Sequence, residues 1–142
     1  MLREISLIVH IAGVVLWVGG AAAAAWTAAQ LATATPEARR EGLGAVRRAL
    51  LAVVTPGILL AWVGGLTLFL SALDLYARAG YLHGKITIAV VISALHGVLV
   101  ARVRKAADGT REASAATFGG LAMAIVVLAH AAVALVILRP GA

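Results

Sequence analysis

The chain has 142 residues, 63% of them hydrophobic and 13% charged, with a net charge of +6 and no cysteine. Soluble domains hold roughly 45–50% apolar and about 25% charged residues, so this surplus excludes an ordinary water-soluble core and makes lipid the solvent. The missing cysteines exclude disulfides, thiolate metal sites and iron–sulfur clusters.

Four runs reach the roughly 20 apolar residues that span a hydrocarbon layer. They cover residues 5–29, 51–72, 82–103 and 117–138, with short polar segments between them. The prediction is a single all-α domain over residues 1–142, an integral membrane four-helix bundle running up-down-up-down. The basic charge then reads as topology, and nucleic acid is not an expected partner. Arg39, Arg40, Arg47 and Arg48 lie between spans 1 and 2, and Arg102, Arg104, Lys105 and Arg111 lie between spans 3 and 4. The positive-inside rule places both segments in the cytoplasm and both termini outside. Residues 21–25 are all alanine, as near a signal-peptide cleavage site. The n-region is weak, because Glu4 offsets Arg3, so span 1 is expected to stay as an uncleaved helix.

In span 1, His10, Gly13, Trp17 and Gly20 follow steps of 3, 4 and 3 and share one helix face. Glycines on such a face let a second helix approach closely. Trp17 lies too deep for an interfacial aromatic belt, which points it at protein or a cofactor. Residues 33–46 read as a loop, with Thr35-Pro36-Glu37 as a helix start leading amphipathically into span 2. Pro56 should kink span 2. Arg48, Thr55 and Trp62 are seven apart and should share a stripe, and WVGG occurs at both 17–20 and 62–65. Residues 73–80 form the next loop, with Tyr76 and Tyr81 suited to an aromatic belt.

Span 3 carries three ionisable groups, and such groups inside a membrane are a functional hypothesis by default. Lys85 and His96 are eleven apart, close to three turns, and share a face with Ala89 and Ile92. His83 points nearly the opposite way, at the headgroup level. Asp108-Gly109 is a turn signal. Span 4 places Gly119, Met123 and His130 on one face and should stop at Arg139-Pro140.

By helix rise, His10 lies roughly 8 Å and His130 roughly 12 Å below the outer surface, with His96 past the midplane. His10 and His130 are therefore best matched in depth, on spans that neighbour each other in an up-down bundle. Two imidazoles facing across a bundle suit a b-type haem, with iron held by His10 and either His96 or His130. Trp17 would line that site, and Lys85 and Arg139, on the outer side, could meet the haem carboxylates. Copper is the alternative, with His10, His96, His130 and Met123 as ligands near the outer face. A third reading has histidines carrying protons at a quinone or small-molecule site. A Ser-His-Asp triad is not expected, because the acidic residues all fall in loops or near the termini.

The motifs IVHIAGVVLWVGG, RRALLAVVTPGILLAWVGG, GYLHGKITIAVVISALHG and VILRP resemble the HemJ-type protoporphyrinogen IX oxidases over almost the whole chain. The pattern matches at His10, Trp17, Arg47, Arg48, Pro56, His83, Lys85 and His96. The resemblance implies a multi-pass protein of a bacterial-type inner membrane that binds haem b. It implies oxidation of the tetrapyrrole protoporphyrinogen IX, with electrons passed to a quinone or another respiratory acceptor. Lys85 and Arg48 are then the candidate catalytic residues, meeting the substrate carboxylates by charge-assisted bonds. The chain departs from the pattern at Thr55, where the family has asparagine, and at Thr117–Gly120, where it lacks the Glu-x-Pro start of helix 4. His130 also lies outside the pattern. The shorter string LWVGG with the span 3 pattern resembles the copper-resistance CopD membrane domain, a non-enzymatic copper carrier or binder. Membrane lipid is an expected partner of the basic surface, and self-association is compatible with the sequence.

Overall fold

The computed structural model describes residues 1–139, Leu75 by its backbone alone. Among these residues the chain is all-helical. Four helices are long and apolar enough to cross a membrane: α1 (Leu2–Leu31), α2 (Pro36–Leu70), α4 (Gly80–Ala107) and α5 (Ala115–Leu138). A single turn, α3 (Leu73–Tyr76), lies between α2 and α4. The chain is a four-helix bundle of membrane-spanning character, and each helix is longer than the apolar stretch that marks it in the sequence, although α2 ends at Leu70, two residues short of the expected 72. The difference is largest in α2. Residues 36–46, expected as loop with an amphipathic lead-in, are continuous helix with the span.

Local chemistry sets the helix ends. The Thr35 hydroxyl accepts from the Ala38 N–H at 3.4 Å, and Pro36 follows at the first position, where its missing N–H costs nothing. Ser114 caps α5 by accepting from Thr117 N–H at 3.2 Å. Between α4 and α5 the chain turns at Gly109, whose φ of 72° suits glycine. Arg139 adopts a left-handed conformation (φ 44°) and closes α5 with an N–H to the Leu135 carbonyl. Pro140, expected to stop this helix, lies outside the described residues.

Consecutive long helices run antiparallel. Along the α1–α2 seam, Gly20 meets Val54, Gly13 meets Gly57 and Leu60, and His10 meets Gly64. Between α2 and α4, Arg47 meets Asp108, Thr55 meets His96 and Trp62 meets Ser93. Between α4 and α5, Gly84 meets Leu135. The α1–α2 seam is built on glycine. A Cβ at Gly64 would stand 2.6 Å from His10 N, and one at Gly57 would stand 2.8 Å from Trp17 N. Only hydrogen at these positions lets the backbones meet, which is the close packing that membrane helices use in place of a hydrophobic drive.

Pairing changes along the bundle. The first half of α1 packs on the second half of α2, whereas its second half packs on α5. The first part of α2 packs on α4, and α4 packs on α5. Toward the end that holds the N-terminus, α1 with α2 and α4 with α5 form two pairs. There the second half of α2 and α4 make few close backbone contacts. The fully buried core (Leu43, Leu50, Leu99, Val103, Ile125) lies toward the opposite end, near the interhelical arginines. Large apolar side chains cover the outside, among them Ile8, Trp26, Leu59, Val63 and Ile137. Exposed to water they would be a liability; facing lipid they are ordinary.

Candidate functional site

Where the two helix pairs part, polar side chains from α1, α2 and α4 enter the bundle in two layers. The layer nearer the N-terminus holds His10 and Lys85. His10 is half-buried, and its Nδ1 lies 2.7 Å from the Ala61 carbonyl. A carbonyl can only accept, so Nδ1 carries the proton and donates. The neutral ring therefore keeps its lone pair on Nε2. The seam fixes this orientation, because a Cβ on Gly65 would stand 3.0 Å from His10 Cε1 and Nδ1. Lys85 is also half-buried and lies close enough for its charge to act on His10. Ion pairs among the described residues join Glu4 to the N-terminal amine and Arg47 to Asp108, and Lys85 is in neither. Trp62 and Ser93 bridge the parted helices beside this layer. The indole N–H donates to Ser93 Oγ at 3.1 Å, and Ser93 donates to the Ala89 carbonyl at 2.8 Å.

The second layer holds Trp17, Thr55 and His96. Thr55 Oγ1 donates to the Leu50 carbonyl at 2.9 Å, so its lone pair is what faces His96 Nε2, 3.3 Å away. His96 is then the Nε2–H tautomer, with a bare lone pair on Nδ1. Both flanking helices widen at this level into single π turns, at Val15–Gly19 in α1 and Leu50–Val54 in α2. The second has a clear cause. Pro56 has no N–H for the Ala52 carbonyl and its ring crowds that carbonyl. The helix opens, and both the N–H and the hydroxyl of Thr55 bond back to the Leu50 carbonyl. The expected proline kink is thus expressed as a π turn, a feature that concentrates at functional sites.

The structure brings some of the sequence candidates together and separates others. His10, Trp17, Lys85 and His96 all point into the bundle, Trp17 at 4% and His96 at 6% exposure. His130 does not join them. It is exposed on α5, its Nδ1 2.8 Å from the Val126 carbonyl of its own helix, so the facing His10–His130 pair is not formed. Met123 shares that outer face at 63% exposure. The inward side of α5 is instead Phe118, Ala122 and Ile125. Among the described residues no three of His, Cys, Asp and Glu gather as a metal-holding group, so His10, His96, His130 and Met123 do not converge on one ion. Arg48 is exposed at the arginine-rich end, reaching back along α2 toward Gly44. The π turn at Leu50–Val54 shifts the helical phase and takes Arg48 off the stripe that Thr55 and Trp62 keep. Arg48 and Lys85 stand at opposite ends of the bundle, roughly 30 Å apart by helix rise. His83 is exposed and sits 3.0 Å from the Ala77 carbonyl, away from both layers.

Sequence reasoning missed the Ala61 carbonyl, Ser93 and the bridging role of Trp62. Backbone carbonyls have no sequence signal. Ser93 and Trp62 are thirty-one residues apart on different spans, and only their similar depth connects them. No family model, curated protein or solved structure matches the chain.

Proposed function

We propose that this chain is a haem-b-binding membrane oxidoreductase of the HemJ type that oxidises protoporphyrinogen IX to protoporphyrin IX. One observation carries the reading: His10 is pinned through Nδ1–H to a backbone carbonyl, which leaves the Nε2 lone pair to accept, near a half-buried lysine that makes no ion pair among the described residues. A histidine that ligates a metal through one ring nitrogen typically gives the other N–H to a carbonyl, which fixes tautomer and aim. The donor set therefore fits a haem held through His10 Nε2. A converging copper set is absent among the described residues, and that favours haem over the copper reading.

Bound haem would supply one-electron transfer within the bundle. The chain supplies the rest. Lys85 offers a cation for the carboxylates of a tetrapyrrole, in a bundle interior where a charge-assisted bond is strong. Arg48 cannot share that carboxylate and instead faces the membrane surface, where lipid phosphate is its partner. The Trp62–Ser93 bridge holds α2 and α4 at a fixed separation beside the layer. Trp17 and His96 form the floor. The substrate loses six electrons and six protons, and three quinone molecules reduced to quinols balance them. The arginine-rich loops face the cytoplasm of a bacterial-type inner membrane and both termini lie outside, following the positive-inside rule.

Complementation tests the proposal. In a strain lacking its own protoporphyrinogen oxidase, the wild-type chain should restore growth, and Lys85→Met should fail to do so at equal expression and haem content. No rescue by wild-type protein that is expressed and carries haem would overturn the oxidase reading.

A further inference from the structure

Two buried polar groups in the second layer have no hydrogen-bond partner among the described residues: Trp17 Nε1 and His96 Nδ1. Trp17 is 4% exposed and His96 6%. Their chemistry is complementary. An indole N–H can only donate. The Thr55 bond holds His96 as the Nε2–H tautomer, so its Nδ1 can only accept. The two residues also enter at similar levels, because the Trp17 backbone N lies against Gly57 and His96 bonds Thr55, two residues away on α2. Both side chains lie on the inward faces of their helices. Each unpaired group left buried costs about 1–3 kcal/mol, and two such costs at one level of a small bundle call for a shared occupant.

We propose that Trp17 and His96 form an internal binding site for one small hydroxylic molecule, water in the resting protein. The occupant accepts from Trp17 Nε1–H through its oxygen and donates an O–H to His96 Nδ1. A water with two to four polar partners is the usual way a folded chain satisfies such groups. The π turn at Val15–Gly19 widens α1 beside this layer, and the one that Pro56 forces at Leu50–Val54 widens α2 there. His96 then takes hydrogen bonds at both ring nitrogens, from the guest at Nδ1 and to Thr55 at Nε2. It becomes the one inward histidine that contacts a solvent-derived molecule below the His10–Lys85 layer. The site needs no haem, because Trp17, His96 and Thr55 all belong to the chain.

Magnetic resonance on the full chain in lipid nanodiscs, labelled with nitrogen-15 at histidine and tryptophan, tests this. The His96 signals are assigned by their loss in His96→Gln, and water itself is the probe. The expected result is a Trp17 indole N–H and a His96 Nδ1 both in the hydrogen-bonded range, each with magnetisation transfer from a bound water. Trp17→Phe should shift the His96 Nδ1 signal while leaving that of His10 in place, which also shows that the variant is folded. A bare Nδ1 and a free indole N–H would overturn the proposal. So would a direct indole–imidazole bond with no water transfer, or a His96 signal unmoved by Trp17→Phe.

Discussion

Replacing Gly13 by alanine should loosen the bundle where the site is anchored. A Cβ there would stand 2.8 Å from Gly57 O and from Leu60 C, where ordinary contact begins at 3.4 Å, and would press on Ala61 N as well. All three neighbours are backbone atoms, so no side chain can swing away. The helices must part by more than the about 0.6 Å that separates 2.8 from 3.4 Å, because Ala61 N lies nearer still. Overpacking of this kind costs about 1–3 kcal/mol, against which alanine returns roughly 0.5–1 kcal/mol of helix preference over glycine. The net loss is on the order of 1–2 kcal/mol. Gly19 is the control, since nothing lies within 4 Å of a Cβ built there. Gly19→Ala should be neutral or stabilising by up to about 1 kcal/mol. Reversible unfolding of the two variants in the same detergent mixture gives the comparison directly. Because Ala61 also carries the carbonyl that holds His10, Gly13→Ala should weaken that anchor too. Equal stability of the two variants would refute the account of the α1–α2 seam.

Thr55→Val keeps the side-chain shape but leaves His96 Nε2–H buried without an acceptor, and should cost about 1–3 kcal/mol of unfolding free energy; Thr55→Ser should recover most of it. Trp62→Phe and Ser93→Ala each break the same bridge and should each cost about 0.5–1.5 kcal/mol. The double variant should cost less than the sum of the two, and full additivity would show that the bridge contributes nothing.

The sequence made the spans legible because lipid imposes a length and a composition that no other solvent demands. The inward face of α4 was legible for a related reason. Lys85 and His96 are rare polar groups on an apolar helix, and their eleven-residue spacing fixes one side. The face of α5 was not legible. It is apolar all round, and helices in lipid associate by shape and small residues rather than by hydrophobic contrast. The grouping of Gly119, Met123 and His130 was correct as geometry, but Phe118, Ala122 and Ile125 fill the bundle and turn that group outward. Arg48 was misplaced by arithmetic that assumes an unbroken helix, which the π turn before Pro56 interrupts. Within the candidate site, His10, Trp17, Lys85 and His96 could be named in advance, and Ser93 could not. The histidine tautomers could not, since those depend on the carbonyls of Ala61 and Leu50 that the fold brings to them.

The central claim is that His10 holds haem through Nε2, and a reduced-minus-oxidised absorption spectrum of the purified chain tests it most directly. The wild-type protein should be red, with a Soret band and split visible bands on reduction, and His10→Ala should lose them while His130→Ala keeps them. A colourless wild-type protein carrying stoichiometric copper, or a His10→Ala variant with full haem occupancy, would contradict the account.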